Sequence, residues 1–330
     1  MSELDVSPAL KKRVLVLGGA GFIGRYAVIA LREAGCEVII GSRHIAPPRR
    51  TEASLRDCAW RQIRAESHVD ARSWHAALAG IDVVINCVGI LRERLGESYE
   101  MVHHRAPAAL ALACKVRGVR MIQVSALGLY EPMRSGFLRS KYDGEQAVQA
   151  AEGDWCIVRP SLLDAERGGF GARWIRRVAA WPVHPLPVDA LGKIAALDVR
   201  DLGEALARLA LMPDLGATAE QRIYEFGGEN ARCLAMHLAA LRAAWGLRPA
   251  RVLAIPSWMA RLGSHICDLF HLTPFSFGHW ELLKRDNSPQ RNRLNEVLGR
   301  APRGVGASAS VCAPILTPVS PTLGLLAPRR

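Results

Sequence analysis

Apolar positions fall into two alternating kinds of run through the first half of the chain. Short continuous runs occur at residues 14–17, 37–41, 81–88, 120–125 and 155–158, with a weaker one at 62–64. Between them, apolar residues recur at helical spacing over 25–34, 72–78, 99–117 and 139–151. Continuous runs predict strands buried on both faces, and the intervening amphipathic stretches predict the helices that bury them. The expected fold is α/β, a Rossmann-type doubly wound parallel sheet.

The pattern loosens after Pro160. Residues 165–195 read as loops with one helix at 172–180. A helix at 201–212 and a strand at 222–226 are expected to return to the sheet. Further helices are expected at 234–245, 256–272 and 278–285, with a short strand at 252–255. We therefore expect a nucleotide-binding core at 11–165 joined by 196–227, and a smaller C-terminal lobe from 166–195 and 228–300. From 301 to 330 the chain is rich in Ala, Gly, Ser and Pro without periodicity, which predicts a disordered tail.

The most specific signal lies where the first strand meets the first helix. Residues 14–24 read VLVLGGAGFIG. Gly18, Gly19, Ala20, Gly21, Phe22, Ile23 and Gly24 form the turn that feeds a helix N-terminus. There, backbone N–H groups and the helix dipole favour a pyrophosphate. A glycine pattern between a strand and a helix is the setting that gives it meaning.

Composition removes several other classes. The chain has 330 residues, half of them hydrophobic, and a formal net charge of +12. The basic residues are mostly scattered Arg, without finger spacing, an RNP-like motif or a Lys-rich tail, so no nucleic-acid partner is expected. The eight cysteines and ten histidines show no CxxC or other metal-ligand spacing. We expect no metal and no disulfide framework, which fits a reducing cytoplasm. Lys11, Lys12 and Arg13 before an apolar run mimic a signal peptide, but the glycine turn claims that run as strand and helix. No run is long enough for a transmembrane helix, and VSALG is not a GxSxG elbow.

The second strand selects the nucleotide. NAD sites commonly place an Asp or Glu at its end to hold the ribose hydroxyls, whereas NADP sites carry Arg or a small residue. Here it ends Ser42-Arg43, with Arg49 and Arg50 further on. No carboxylate is present to repel a 2′-phosphate, so NADP(H) is favoured, with NAD(H) as the alternative. Glu66 falls where it can meet adenine. Cys87, Val88 and Gly89 end the fourth strand beside the ribose and nicotinamide, and Pro160 and Ser161 close the nicotinamide end.

The segments GGAGFIGR (18–25), AGIDVVINCVGILRE (79–93), HHRAPAAL (103–110), QVSALG (123–128), FLRSKYDGE (137–145), VRPSLL (158–163) and LLKRDN (282–287) together resemble the short-chain dehydrogenase/reductase superfamily, in its extended or atypical branch. The chain is similar to bacterial relatives of the nucleotide-binding accessory subunit nine of the complex I alpha subcomplex. The resemblance implies a nicotinamide cofactor and a lobe over the active site. Active members use a Ser, a Tyr and a Lys four residues after the Tyr, which share one helix face. The Tyr passes a proton, the Lys lowers its pKa and holds the ribose, and the Ser orients the carbonyl. The matching positions are Ser125, Lys141 and, in place of Tyr, Phe137. Phenylalanine has no proton to give.

Three readings follow: nucleotide binding without turnover, in an accessory or sensing role; an active oxidoreductase, epimerase or dehydratase with a substitute donor; or a scaffold for docking alone. Tyr130, in the loop after Ser125, is the candidate donor for a carbonyl or quinone substrate. Tyr142 lies about 100° round the helix from Lys141. His103 and His104 read as core or surface histidines near the pocket. An apolar stripe of Trp258, Met259, Leu262, Ile266, Leu269, Phe270 and Phe275 reads as a helix over the lobe. Its sharper reading is an interfacial helix that places a cytoplasmic protein on a membrane or a respiratory complex.

Overall fold

Burial of Val14, Leu15, Val16 and Leu17 on both faces makes β1 (Arg13–Leu17) an interior strand of the sheet. The computed structural model describes residues 11–47, 52–270 and 276–307. Arg49, Arg50, Phe275 and the tail beyond 307 lie outside them. Helix α1 (Phe22–Glu33) buries Gly24, Ala27, Val28 and Leu31, one face at helical spacing. There follow β2 (Glu37–Ser42), the short α2 (Ala53–Arg56), β3 (Ala59–Gln62), β4 (Val83–Asn86), α3 (Ala106–Arg117), β5 (Arg120–Val124), α4 (Gly136–Ala150) and β6 (Trp155–Pro160). The second half adds β7 (Leu163–Asp164), α5 (Phe170–Ala179), β8 (Val183–Pro187), β9 (Leu197–Asp198), α6 (Val199–Leu211), β10 (Ile223–Phe226), α7 (Leu234–Ala244), β11 (Arg251–Ile255), α8 (Ser257–Phe270), α9 (Phe277–Leu283) and α10 (Leu294–Leu298).

The main sheet has seven strands in the order β10-β6-β5-β4-β1-β2-β3, all parallel. This is the doubly wound Rossmann order with one added strand. One apolar cluster joins α1, α6 and α10 to one face; a second joins α3 and α4 to the other. Away from the sheet, β8 and β11 pair in parallel, and α5, α7 and β8 share a third cluster.

Several local expectations are corrected. The third strand is Ala59–Gln62, not 62–64, because Ile39 to Ser42 pair with those residues. Residues 72–78 form a 3₁₀ turn at Ala71–Trp74, capped by Asp70, rather than a helix. The helix expected over 99–117 begins as a π-helical turn at Glu100–Arg105. Pro107 offers that turn no N–H, and α4 packs so closely on it that a Cβ at Gly144 would lie 1.9 Å from the His103 carbonyl oxygen. The region read as loops contains β8, and the two-residue strands β7 and β9 flank it; β8 carries Pro185 and Pro187, which hid it. Residues 301–307 are held: Arg303 N–H donates to Asp201 at 2.5 Å and Ala307 N–H to the Ala240 carbonyl at 2.9 Å. Among the described residues no helix is long and apolar enough to cross a membrane.

Candidate functional site

From β1 the chain winds to β2 on one side, while β4 lies on the other. The crevice at their C-terminal ends is where ligands bind in such sheets. Gly18 turns there with φ +70°, and its N–H donates to the Gly41 carbonyl at 2.8 Å. Gly21 N–H donates to the Gly18 carbonyl at 2.8 Å and caps α1 without a side chain. The first N–H groups of α1 have no intrahelical acceptors and are suited to a phosphate. Gly24 lies against the backbone of Gly18 and Gly19, behind the turn.

A cavity of about 1130 Å³ opens at this crevice. Gly18, Ala20, Gly21, Phe22 and Ile23 line it; Gly19 and Gly24 support it from behind. At one end stand Ser42, Arg43, His44 and Glu66, the last in a 3₁₀ turn after β3. Ser42 Oγ accepts from His44 N–H at 3.1 Å, and Gln62 donates to the Arg43 carbonyl at 3.1 Å, fixing the strand end. No Asp or Glu ends β2. The Arg43 guanidinium is 61 % exposed and pairs with Glu97, which also lines the cavity.

Cys87, Val88, Gly89, Ser125, Lys141, Phe137, Pro160 and Ser161 line the continuation. Burial pushes the Cys87 thiol up to about 12, so it is no nucleophile. Ser125 is 8 % exposed and its buried Oγ has no hydrogen-bond partner. Ser161 Oγ is already engaged, donating to the Asn287 carbonyl at 2.7 Å and accepting from Ala195 N–H at 3.0 Å. Burial lowers the Lys141 ammonium to about 8, against the supporting charge of Glu145 one turn on. Lys141 Nζ lies 5.7 Å from the centre of the Phe137 ring. A Cβ at Gly89 would lie 3.7 Å from His103 Nε2 and 3.9 Å from Lys141 Nζ, so these three converge.

Phe137 sits in a cage of rings: Tyr99 at 5.8 Å, His103 at 5.6 Å and His279 at 6.0 Å between centroids. His103 has both nitrogens occupied. Ile90 N–H donates to Nε2 at 3.1 Å, and Nδ1 bonds Ser140 Oγ at 3.0 Å, which donates to the Phe137 carbonyl at 3.1 Å. Burial, then the Lys141 charge, holds His103 well below 6.5, hence neutral. His104 faces out and pairs with Glu100 at 3.0 Å.

Tyr130 does not join this group. It is absent from the cavity lining and 46 % exposed. Its hydroxyl accepts from Asp286 N–H at 3.1 Å, and the Arg285 guanidinium lies 4.9 Å from its ring centre. Nearness to Ser125 in sequence is undone by a loop that runs towards α9. Tyr142 packs beside Phe137 but does not line the cavity either.

His279 is the group that sequence reasoning missed. It lines the cavity from α9, stacked at 23° on Phe137. Ser276 Oγ accepts His279 N–H at 3.2 Å and lies 2.6 Å from Nδ1. Where the hydroxyl donates to Nδ1, Nε2 carries the ring proton. Burial, then the Arg92 charge, lowers this imidazole to about 4. Among the described residues no group of three His, Cys, Asp or Glu is placed to hold a metal.

The glycine cradle, the switch-point crevice and the Lys141 pocket fit a nicotinamide dinucleotide. A model of the NAD dependent epimerase/dehydratase family matches residues 14–227. The chain belongs to this family. Among curated relatives of this epimerase/dehydratase member, ceramide reductase of Caulobacter vibrioides is 29% identical over 62% of the chain and 62% of its own length. NADH dehydrogenase [ubiquinone] 1 alpha subcomplex subunit 9 of Arabidopsis thaliana is 30% identical over 65% of the chain and 53% of its own length. The same subunit of Rattus norvegicus is 30% identical over 79% and 67%. The chain thus spans 53% to 62% of the first two relatives. Among solved structures, dTDP-glucose 4,6-dehydratase of Bacillus anthracis in complex with NAD matches with TM-score 0.64 and 14% identity, over 89% of the chain and 92% of its own. UDP-glucose 4-epimerase of Thermotoga maritima, with UDP-glucose, gives TM-score 0.62 and 16% identity over 88% and 94%. At these identities the structures share the family's fold.

Proposed function

We propose that this family member binds a nicotinamide nucleotide, NADP(H) before NAD(H), with little or no turnover by the superfamily's phenol chemistry. The observation that carries the reading is Phe137: a ring without a hydroxyl stands one helical turn before the buried Lys141, 5.7 Å from its Nζ. The nucleotide supplies a hydride when bound. Gly18, Gly21 and the α1 N-terminus would hold its pyrophosphate, Arg43 the 2′-phosphate, and Lys141 the nicotinamide ribose. Loss of general acid catalysis alone removes about 10²–10⁴-fold in rate. The complex I relatives support an accessory role beside a respiratory or quinone-linked membrane complex. The net charge of +12 and the exposed apolar side of α8 support peripheral attachment.

Titration with NADPH and NADH, followed by nicotinamide fluorescence, tests the binding. Arg43→Ala is expected to weaken NADPH by about ten- to a hundredfold, the worth of a charge-assisted contact, and NADH by less than about threefold. Equal losses for both would remove Arg43 from the 2′-phosphate. Phe137→Tyr is expected to leave NADPH affinity within about twofold and to raise NADPH oxidation against a panel of aldehydes and quinones. A wild type that already turns over, and gains nothing from Phe137→Tyr, defeats the non-catalytic reading.

His279 favours a second reading, in which the chain is a reductase. This residue lines the cavity beside Phe137 as a neutral imidazole and would, with Nε2 protonated, donate to a developing oxyanion. Wild-type oxidation of NADPH that is lost in His279→Gln would favour it over the first.

A further inference from the structure

The cavity of about 1130 Å³ runs on past the nucleotide cradle. Beyond Pro160 it is lined by α5, α7, α8 and α9, and its chemistry there differs from the rest. The nucleotide half of the lining carries Arg43, Glu66, Glu97 and Lys141. Among the described residues, no Asp, Glu, Lys or Arg after Pro160 lines the cavity.

The charges of this region are turned away. Helix α5 contains Arg173, Arg176 and Arg177, yet it presents Trp174, Ile175 and Val178 to the chamber. Arg176 pairs with Asp164 at 2.6 Å, and Arg173 and Arg177 are exposed. Lys284 is held by Asp189 at 3.1 Å, over the Trp280 ring. A nucleotide sugar brings a diphosphate, whose charge needs a cation or a row of donors. This chamber offers neither.

It offers length and a few uncharged polar groups, Ser125, His279 and Asn287, at its inner end. Gly171 on α5 and Gly263 on α8 both line it, and a Cβ on either would meet no atom within 4 Å. Phe170 and Trp181 line the chamber while 49% and 41% exposed, which places an apolar mouth at the surface. At the inner end, Ser125 keeps a buried hydroxyl with no partner in the protein.

We propose that this chamber holds the long uncharged hydrocarbon chain of an amphiphilic ligand, whose oxygen-bearing head reaches Ser125 beside the nicotinamide end. Which end takes the head rests on the reading that the glycine cradle holds the nucleotide. The chain itself is argued from the lining alone. Burial of apolar surface supplies the affinity, and the unpaired hydroxyl selects an acceptor oxygen.

The test uses methyl cis-parinarate, a slender uncharged chain whose fluorescence rises on burial, titrated into the full chain with NADPH binding measured in parallel. Saturable binding of one probe per chain is expected. Gly171→Leu and Gly263→Leu should each weaken the probe by about tenfold or more by filling the chamber, while NADPH affinity stays within about twofold. Both are helical positions where leucine favours the fold over glycine. Ile266→Glu, on the exposed side of α8, should retain the probe and so separates the chamber from surface adsorption. No saturable binding in a chain that binds NADPH overturns the proposal. So do unchanged affinities in both leucine variants, or displacement of the probe by UDP-glucose. Probe binding as expected in a chain that ignores NADPH supports the chamber and sinks the nucleotide reading instead.

Discussion

Replacing Gly24 with alanine is expected to abolish measurable nucleotide binding and to lower the melting temperature. Elsewhere in a helix the change would stabilise by up to about 1 kcal/mol, because alanine has the higher helix propensity. Here the new Cβ would stand 2.3 Å from the Gly18 carbonyl oxygen and 2.7 Å from Gly19 Cα. Both obstacles are backbone and cannot rotate away. Helix α1 must lift from the turn, carrying its N-terminal N–H groups off the phosphate position. Overpacking of this kind costs about 1–3 kcal/mol of stability. We expect an NADPH dissociation constant raised by at least about a hundredfold, some 2.7 kcal/mol. Calorimetry and a melting curve on the same sample read both; a variant that binds NADPH like the wild type would refute the cradle.

Loss of Glu145 should be the costliest change away from the cradle. Its carboxylate is 1% exposed and takes Arg159 through Nε at 3.0 Å and Nη2 at 2.5 Å. Removing one partner of a buried pair costs about 3–5 kcal/mol. Arg159 keeps Glu225 at 3.8 Å and some solvent, so the lower end is expected for Glu145→Ala. A second effect has a definite sign. Glu145 sustains the Lys141 charge against burial. Without it the ammonium titrates below about 8, and more Lys141 is neutral at pH 7.5. NADPH affinity should then fall at pH 7.5 and recover on acidification towards pH 6, a slope weaker in the wild type. Chemical denaturation and pH-resolved titration check the two effects separately. A flat pH response in the variant would detach Lys141 from the nucleotide.

Much of the sheet could be read from one dimension because its strands are buried on both faces. Val14 to Leu17 or Trp155 to Val158 leave no periodicity to misread. The glycine turn and Ser125 were legible for a similar reason, since each adjoins a strand end, whereas Phe137 and Lys141, inside α4, were legible through the resemblance and their four-residue spacing. Elements that depend on distant partners were not legible. β8 alternates buried and exposed positions and carries two prolines, and it exists because β11 pairs with it from about seventy residues on. Tyr130 looked close to the reaction centre, but its loop is tied to Arg285 and Asp286. His279 comes from α9, well over a hundred residues after Ser125, and bears no motif beyond the short Ser276–His279 cap. The chamber was hidden because α5 spells out three arginines in sequence and turns them outward only in three dimensions.

The contact between residues 300–303 and Asp201 bears on the order in which the protein is made. Asp201 is fully buried on α6, the helix packed against α1, and it is neutralised by Arg300 and Arg303. A nascent chain that has emerged only as far as α6 holds that carboxylate without its counter-charges. The sheet and helices that precede α6 in the chain must therefore wait for residues 300–303 to emerge before this outer layer can lock.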